Sequence, residues 1–209
     1  MLTAAQALAR LYDGNRRFVA SRSELSGFSN TARRVELVDG QEPFAIVLGC
    51  SDSRVPAELV FDQGFGDLFV IRVAGNIVAP SQVGSVEFAA SRFGTPLVVV
   101  MGHSQCGAIT ATLEELQGRA TTSSKNLRSI VDRVRPSIEP LLADGIPRDH
   151  SALVREAVRA NVCASVDHLR HGSELLETLI REDGLMVVGA EYSLETGVVD
   201  FFQDVAACQ

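Results

Sequence analysis

Six consecutive residues, Phe44-Ala45-Ile46-Val47-Leu48-Gly49, carry no polar side chain and end on glycine. A strand with one face in water alternates polar and apolar residues, so a run without alternation must be covered on both faces. Leu97–Gly102 repeats the pattern as Leu-Val-Val-Val-Met-Gly, and Asp67–Val73 and Gly184–Tyr192 carry similar apolar runs, Leu68–Ile71 and Leu185–Ala190. Between these runs lie segments with helical spacing: Val55–Phe61, Gln82–Phe93, Gly107–Gln117, and a long stretch that contains Arg128–Val134 and Ser151–His171, with Ser173–Glu182 after it. Alternation of buried strands and helices dictates helices packed on both faces of a parallel sheet. Gly197–Phe201, following the turn Leu-Glu-Thr-Gly, reads as a last, hairpin-like strand. The expected fold class is α/β: a mostly parallel central sheet of about four strands plus one antiparallel edge strand, flanked by helices.

Ahead of the sheet, Leu2–Ala20 places Leu8, Leu11, Phe18 and Val19 on a rough helical stripe, and Thr31–Val38 predicts a short helix. Residues 1–40 therefore read as a helical arm and 41–209 as the α/β core of one domain, which suits a length of 209 residues. The arm must bury its stripe on the chain's own core or on a neighbouring subunit. A formal net charge of −7 argues against nucleic acid or an anionic membrane as partner. No run approaches the ~20 apolar residues of a membrane-spanning helix. Arg10, Arg16 and Arg17 interrupt the segment where a secretory signal would have its apolar core. The expectation is a cytoplasmic protein whose four cysteines are reduced, which favours metal binding or catalysis over a disulfide framework.

Ligands of open α/β sheets bind beyond the carboxyl ends of the strands. Cys50 stands just past one predicted strand and His103 just past another, and Cys106 follows His103 by three residues at the start of a helix. If the two strands are neighbours, the three side chains converge. Two thiolates and an imidazole suit zinc, and three protein ligands leave a fourth position open, as in catalytic sites. A single cysteine after a strand is most often inert packing; the coincidence of three such residues beside Asp52 and Arg54 favours metal. Cys163, in a predicted helix, reads as a small core residue, and Cys208 as terminal and exposed. His150, His168 and His171 lack ligand spacing and read as surface residues.

Cys-Ser-Asp-Ser-Arg-Val-Pro-Ala-Glu at Cys50–Glu58 and Gly-His-Ser-Gln-Cys-Gly-Ala at Gly102–Ala108 resemble the two signature motifs of the β-class carbonic anhydrases. Gly66–Asn76, Gly14–Phe18 and the closing Val-Val-Gly-Ala-Glu-Tyr-Ser-Leu-Glu-Thr-Gly-Val-Val are similar to further segments of prokaryotic members. The resemblance implies Zn2+ on Cys50, His103 and Cys106, and reversible hydration of carbon dioxide to bicarbonate and a proton by a zinc-bound hydroxide. It implies that Asp52 accepts the hydroxide's proton, and that Arg54 pairs with Asp52 and holds it off the metal, which Asp52 ligates only in an inactive closed form. By itself Asp52 reads as a cap for a helix beginning near Val55, a role Ser53 can take instead. The resemblance places Phe69 and Phe88 along the substrate pocket, Gln41 and the Gly107 N–H as substrate donors, and the active site at the interface of a homodimer or homotetramer. Some members also bind bicarbonate at an effector site built from Trp, Arg and Tyr. Arg72 and Tyr192 fall at two of those positions and Val47 at the third, so no strong, cooperative bicarbonate-driven inactivation is expected, while the Asp52–Arg54 pair could still switch with pH alone. The competing readings are a carbon disulfide or carbonyl sulfide hydrolase on the same fold, and a non-catalytic zinc protein, which the presence of both Asp52 and Arg54 disfavours. A thiol redox protein usually carries Cys-x-x-Cys, and this chain has none.

Overall fold

The computed structural model describes residues 2–24, 30–121, 124–143, 145–146 and 148–202. Helix α1 (Ala4–Val19) starts at Thr3, whose hydroxyl accepts from the Gln6 N–H while the Gln6 side chain accepts from the Thr3 N–H, a reciprocal cap that satisfies two donors at the helix start. A short α2 (Thr31–Glu36) leads to β1 (Ala45–Gly49), α3 (Ala57–Val60) and β2 (Leu68–Arg72). A 3-10 turn at Ala74–Asn76 and α4 (Pro80–Phe93) follow, then β3 (Leu97–His103) and α5 (Gly107–Leu116). Three helices, α6 (Lys125–Ala143), α7 (His150–His171) and α8 (Glu174–Glu182), precede β4 (Met186–Tyr192) and β5 (Val199–Phe202).

The sheet has five strands in the order β2-β1-β3-β4-β5. The first four are parallel and β5 runs antiparallel to β4, as the strand and helix patterns predict. Successive residues of β1 enter opposite core layers. Ala45 and Val47 face a layer with Leu8, Leu11, Phe61, Val99 and Met101, whereas Ile46 and Leu48 face one with Val86, Ala89, Val98, Val100 and Val162. Both faces are covered, which is why the strand sequence needs no polar residue.

The stripe of α1 buries on the chain's own core through Ala7, Leu8 and Leu11, while Val19 stays exposed. Gly14 makes this approach close: a Cβ there would stand 1.8 Å from the Phe61 carbonyl oxygen. The arm is also pinned by charge, since the fully buried Asp62 carboxylate accepts from Arg17 Nε (2.6 Å), Ser23 Oγ (2.6 Å) and the Glu24 N–H (3.0 Å).

Two boundaries depart from the sequence reading. Helix α3 begins at Ala57 rather than near Val55, because Pro56 holds the extended conformation ahead of it. Helix α6 continues past Val134 through Pro136 and Pro140 to Ala143. Both prolines lie on the solvent side, where water can take the carbonyls their missing N–H groups leave free.

Candidate metal centre

From β1 the chain moves to β2 on one side, while β3 adds on the other, so strand order reverses between β1 and β3. Their carboxyl ends form the crevice in which such sheets bind ligands. Cys50 immediately follows β1, His103 is the last residue of β3, and Cys106 precedes the first residue of α5. Gly49 pairs with Met101, which brings the two strand ends side by side. The ligand atoms of Cys50, His103 and Cys106 lie within 4.8 Å of one another and all three residues are buried. The two sulfurs are 4.0 Å apart.

The donor set fits a tetrahedral, thiolate-preferring cation. His103 Nδ1 lies 2.9 Å from the Ser104 carbonyl oxygen. A carbonyl only accepts, so Nδ1 carries the proton and Nε2 carries the lone pair. That Nε2 is buried and has no hydrogen-bond partner, an arrangement that costs stability unless something coordinates it. Among the sulfurs, hydrogen bonding from Cys106 lowers the Cys50 thiol pKa against the cost of burial, with further help from the Gly75 N–H at 3.3 Å. Cys106 is pushed up by that same partnership and by burial. A dication of zinc's type compensates two thiolates at once.

The turn after Cys50 is held from two sides. Asp52 Oδ1 accepts from Arg54 Nε (2.9 Å) and from the Arg54 N–H (3.0 Å), and Oδ2 accepts from Arg54 Nη2 (2.7 Å). These bonds, opposed by partial desolvation, hold the Asp52 carboxyl well below the usual carboxylate range. Asp52 Oδ2 stands 3.9 Å from His103 Nε2, at the mouth of the ligand cluster. Arg72 braces the same turn from β2, donating from Nε to the Cys50 carbonyl (2.9 Å) and from Nη2 to the Asp52 carbonyl (2.5 Å). Neither Asp52 nor Ser53 caps α3, which has no side-chain cap; Asp52 is committed to Arg54.

Residues 45–199 match the family model described as carbonic anhydrase. The chain is 40% identical over 190 residues to a carbonic anhydrase of Mycolicibacterium smegmatis, covering 91% of this chain and 89% of that protein. It is 38% identical over 187 residues to carbonic anhydrase 2 of Mycobacterium tuberculosis, covering 90% and 87%. Among solved structures it resembles a tetrameric β-carbonic anhydrase of Sordaria macrospora (TM-score 0.75, 25% identity, 84% of this chain and 88% of that one) and the β-carbonic anhydrase CcaA (0.73, 26%, 96% and 90%). The chain belongs to the β-class carbonic anhydrase family. 

Within this β-class carbonic anhydrase the remaining residues singled out in the sequence fall in three places. Gly107 opens α5, exposed and with open space where a side chain would be; its N–H is one of the donors a helix start leaves unpaired. Phe69 and Phe88 meet each other at 6.3 Å and share Phe93, at 6.2 and 5.5 Å, in an aromatic cluster at the β2 edge of the sheet. Phe88 is 53% exposed while Phe69 and Phe93 are half-buried, so this cluster is partly uncovered. Gln41 precedes β1, lining an open groove with Leu37, Val38, Gly66 and Phe93, whereas Cys50 follows β1. The strand's five residues put about 16 Å between those ends, so Gln41 does not reach its own chain's cluster.

His150, His168 and His171 are exposed, as expected. Cys163 lies in α7, half-buried against the sheet, and is disulfide-bonded, which corrects the expectation that all four cysteines are reduced. Cys208 lies outside the described residues. Arg72 is the residue whose structural role sequence reasoning missed. Its only local signal is a charge at the end of an apolar strand. Among the described residues no helix is long and apolar enough to cross a membrane.

Proposed function

We propose that this chain catalyses the reversible hydration of carbon dioxide to bicarbonate and a proton, with zinc held by Cys50, His103 and Cys106. The observation that carries the reading is the buried cluster of two sulfurs and an unpartnered imidazole nitrogen, with an ionised carboxylate 3.9 Å from that nitrogen. Zinc, when bound, supplies Lewis acidity that makes water a nucleophile near neutral pH. Asp52 accepts a hydrogen bond from the nucleophile and so directs its lone pair at the substrate carbon. Arg54 keeps Asp52 ionised and turned away from the cation through its two-pronged contact. Released from Arg54, Asp52 could itself ligate a bound cation, which would be the inactive closed form. The Gly107 N–H donates to a substrate oxygen.

The partly uncovered Phe69–Phe88 cluster and the distance of Gln41 from its own Cys50 support a shared active site in a homodimer or homotetramer. Gln41 of the partner subunit then donates to bicarbonate, and Phe69 and Phe88 supply apolar wall for carbon dioxide. Residues 1–209 act as one domain, with α1 seated on the core it belongs to. The cytoplasm is the proposed compartment, because Cys50 and Cys106, the free cysteines among the described residues, work as ligands only while reduced, and the disulfide-bonded Cys163 lies outside the ligand set. A stopped-flow carbon dioxide hydration assay on metal-quantified protein tests the reading, with carbon disulfide hydrolysis run alongside. Hydration proportional to zinc content is the expected result; zinc-loaded protein that hydrolyses carbon disulfide and leaves carbon dioxide untouched would overturn it.

A further inference from the structure

We infer that Asn161 and Ser165, two buried polar residues of α7, are positioning residues for the metal centre: they clamp the Ala74–Asn76 turn so that the Gly75 N–H stays on the Cys50 sulfur. The inference rests on reading the cluster as the zinc site.

Residues Val158, Asn161, Val162 and Ser165 share one face of α7, by their spacing of three and four. Val158 and Val162 are pressed against β3: a Cβ on Gly102 would come within 2.6 Å of Val162 and 3.2 Å of Val158. On the same face Asn161 and Ser165 are only 2% and 5% exposed. Burying an amide and a hydroxyl in an apolar contact is unfavourable unless each is bonded. Both are. Asn161 Nδ2 donates to the Gly75 carbonyl at 2.8 Å, and Ser165 Oγ donates to the Asn76 carbonyl at 3.2 Å.

The turn they hold has a single backbone bond of its own to rely on, from the Asn76 N–H to the Val73 carbonyl at 3.1 Å. Gly75 (φ 71°) and Asn76 (φ 43°) are two successive residues in left-handed conformation, which a non-glycine residue adopts at a cost. A Cβ on Gly75 would lie 3.1 Å from the Ala108 Cβ, so the turn is wedged between α5 and α7. Gly75 is therefore fixed at both ends: its carbonyl by Asn161 and its N–H by the Cys50 sulfur at 3.3 Å. An N–H donor draws electron density from a thiolate and fixes the direction of its lone pairs. At a site with two thiolates this restrains their donation to the cation and keeps Cys50 aimed at it. Partners one step removed from the ligands commonly govern metal affinity in this way.

The test compares Asn161→Leu and Ser165→Ala with Thr95→Val. Thr95 makes the same kind of buried bond, Oγ1 to the Pro43 carbonyl at 2.9 Å, at the opposite end of the sheet. Two quantities are read on folded protein: the zinc dissociation constant by chelator competition, and the near-ultraviolet thiolate-to-metal charge-transfer band after cobalt(II) substitution. Asn161→Leu should weaken zinc by about 10-fold or more and displace the band, and Ser165→Ala should move both in the same direction by less. Thr95→Val should lower the melting temperature and leave both readouts unchanged. If Asn161→Leu does not fold, Ser165→Ala decides by the same two readouts. Wild-type affinity and band position in the α7 variants would overturn this inference alone, as would equal changes in Thr95→Val. A wild-type chain that takes up no metal would overturn the reading of the cluster and this inference with it.

Discussion

Gly102→Ala tests the close contact that sets His103 in place. The added methyl would stand 2.6 Å from Val162 Cγ2, about 0.9 Å short of the ~3.5 Å at which carbons rest. Val158 Cγ1, at 3.2 Å, blocks retreat on the other side. Helix α7 cannot slide away freely, since Asn161 and Ser165 tie it to the turn at Gly75 and Asn76. Overpacking of this kind costs about 1–3 kcal/mol, and the pinned helix argues for the upper part of that range. In a chain of this size each kcal/mol lowers the melting temperature by roughly 2–4 °C. Val162→Ala alone removes two buried methyl-sized groups and should cost about 2 kcal/mol. In the double variant the new methyl occupies the space Val162 vacates, so the two costs should fall short of their sum by about 1–2 kcal/mol. Chemical denaturation at fixed protein concentration measures all three, with zinc content determined in parallel. The strain falls on the residue before a ligand, so Gly102→Ala should lose zinc as well as stability, and Val162→Ala should restore part of both. Strictly additive stabilities, or a Gly102→Ala protein as stable as wild type, would refute the reasoning.

Metal analysis of protein purified without added zinc should find about one equivalent per chain; Cys106→Ser should lose most of it and Cys163→Ser should keep it, and loss in Cys163→Ser would sink the ligand assignment. Arg54→Ala should remove most activity by freeing Asp52 to swing toward the cation, and a folded, zinc-loaded variant with near-normal turnover would refute that role. Burial raises the Asp62 pKa, but bonds from Ser23, Arg17 and the Glu24 N–H outweigh it and leave the folded value depressed. The stability Asp62 contributes is therefore present above the unfolded value of about 4 and lost as pH falls through the folded one. Asp62→Asn should be less stable than wild type at neutral pH, the gap closing below about pH 4; a gap that widens in acid would contradict the sign. Val47 is fully buried among apolar residues and Arg72 is committed to the Cys50 and Asp52 carbonyls, so activity should not show a steep, bicarbonate-sharpened dependence on pH; such a dependence would reveal an effector site despite Val47.

The local pattern of the sequence determined the strands, the burial of β1 and β3 on both faces, and the three residues of the candidate cluster, whereas β2, which reads as equally apolar, lies half-buried at the sheet edge. A run such as Ala45–Gly49 states its own environment, and a ligand placed one residue past a strand needs only the neighbouring strand to complete the set. The order β2-β1-β3 supplied that neighbour. Helix boundaries were less legible where solvent decided them, as at Pro136 and Pro140, since sequence does not say which side of a helix meets water. What only the tertiary structure decided are contacts between distant segments. Arg72 was readable as a charge ending a strand, but not as the brace on a turn 20 residues away. Asn161 and Ser165 drew no reading from the sequence, and only the packing shows them as donors to carbonyls 86 and 89 residues earlier. Gln41 was readable as a polar residue before a strand, yet the strand's length is what separates it from its own Cys50. A buried polar group declares in sequence only that it needs a partner; the packing of the whole chain chooses which one.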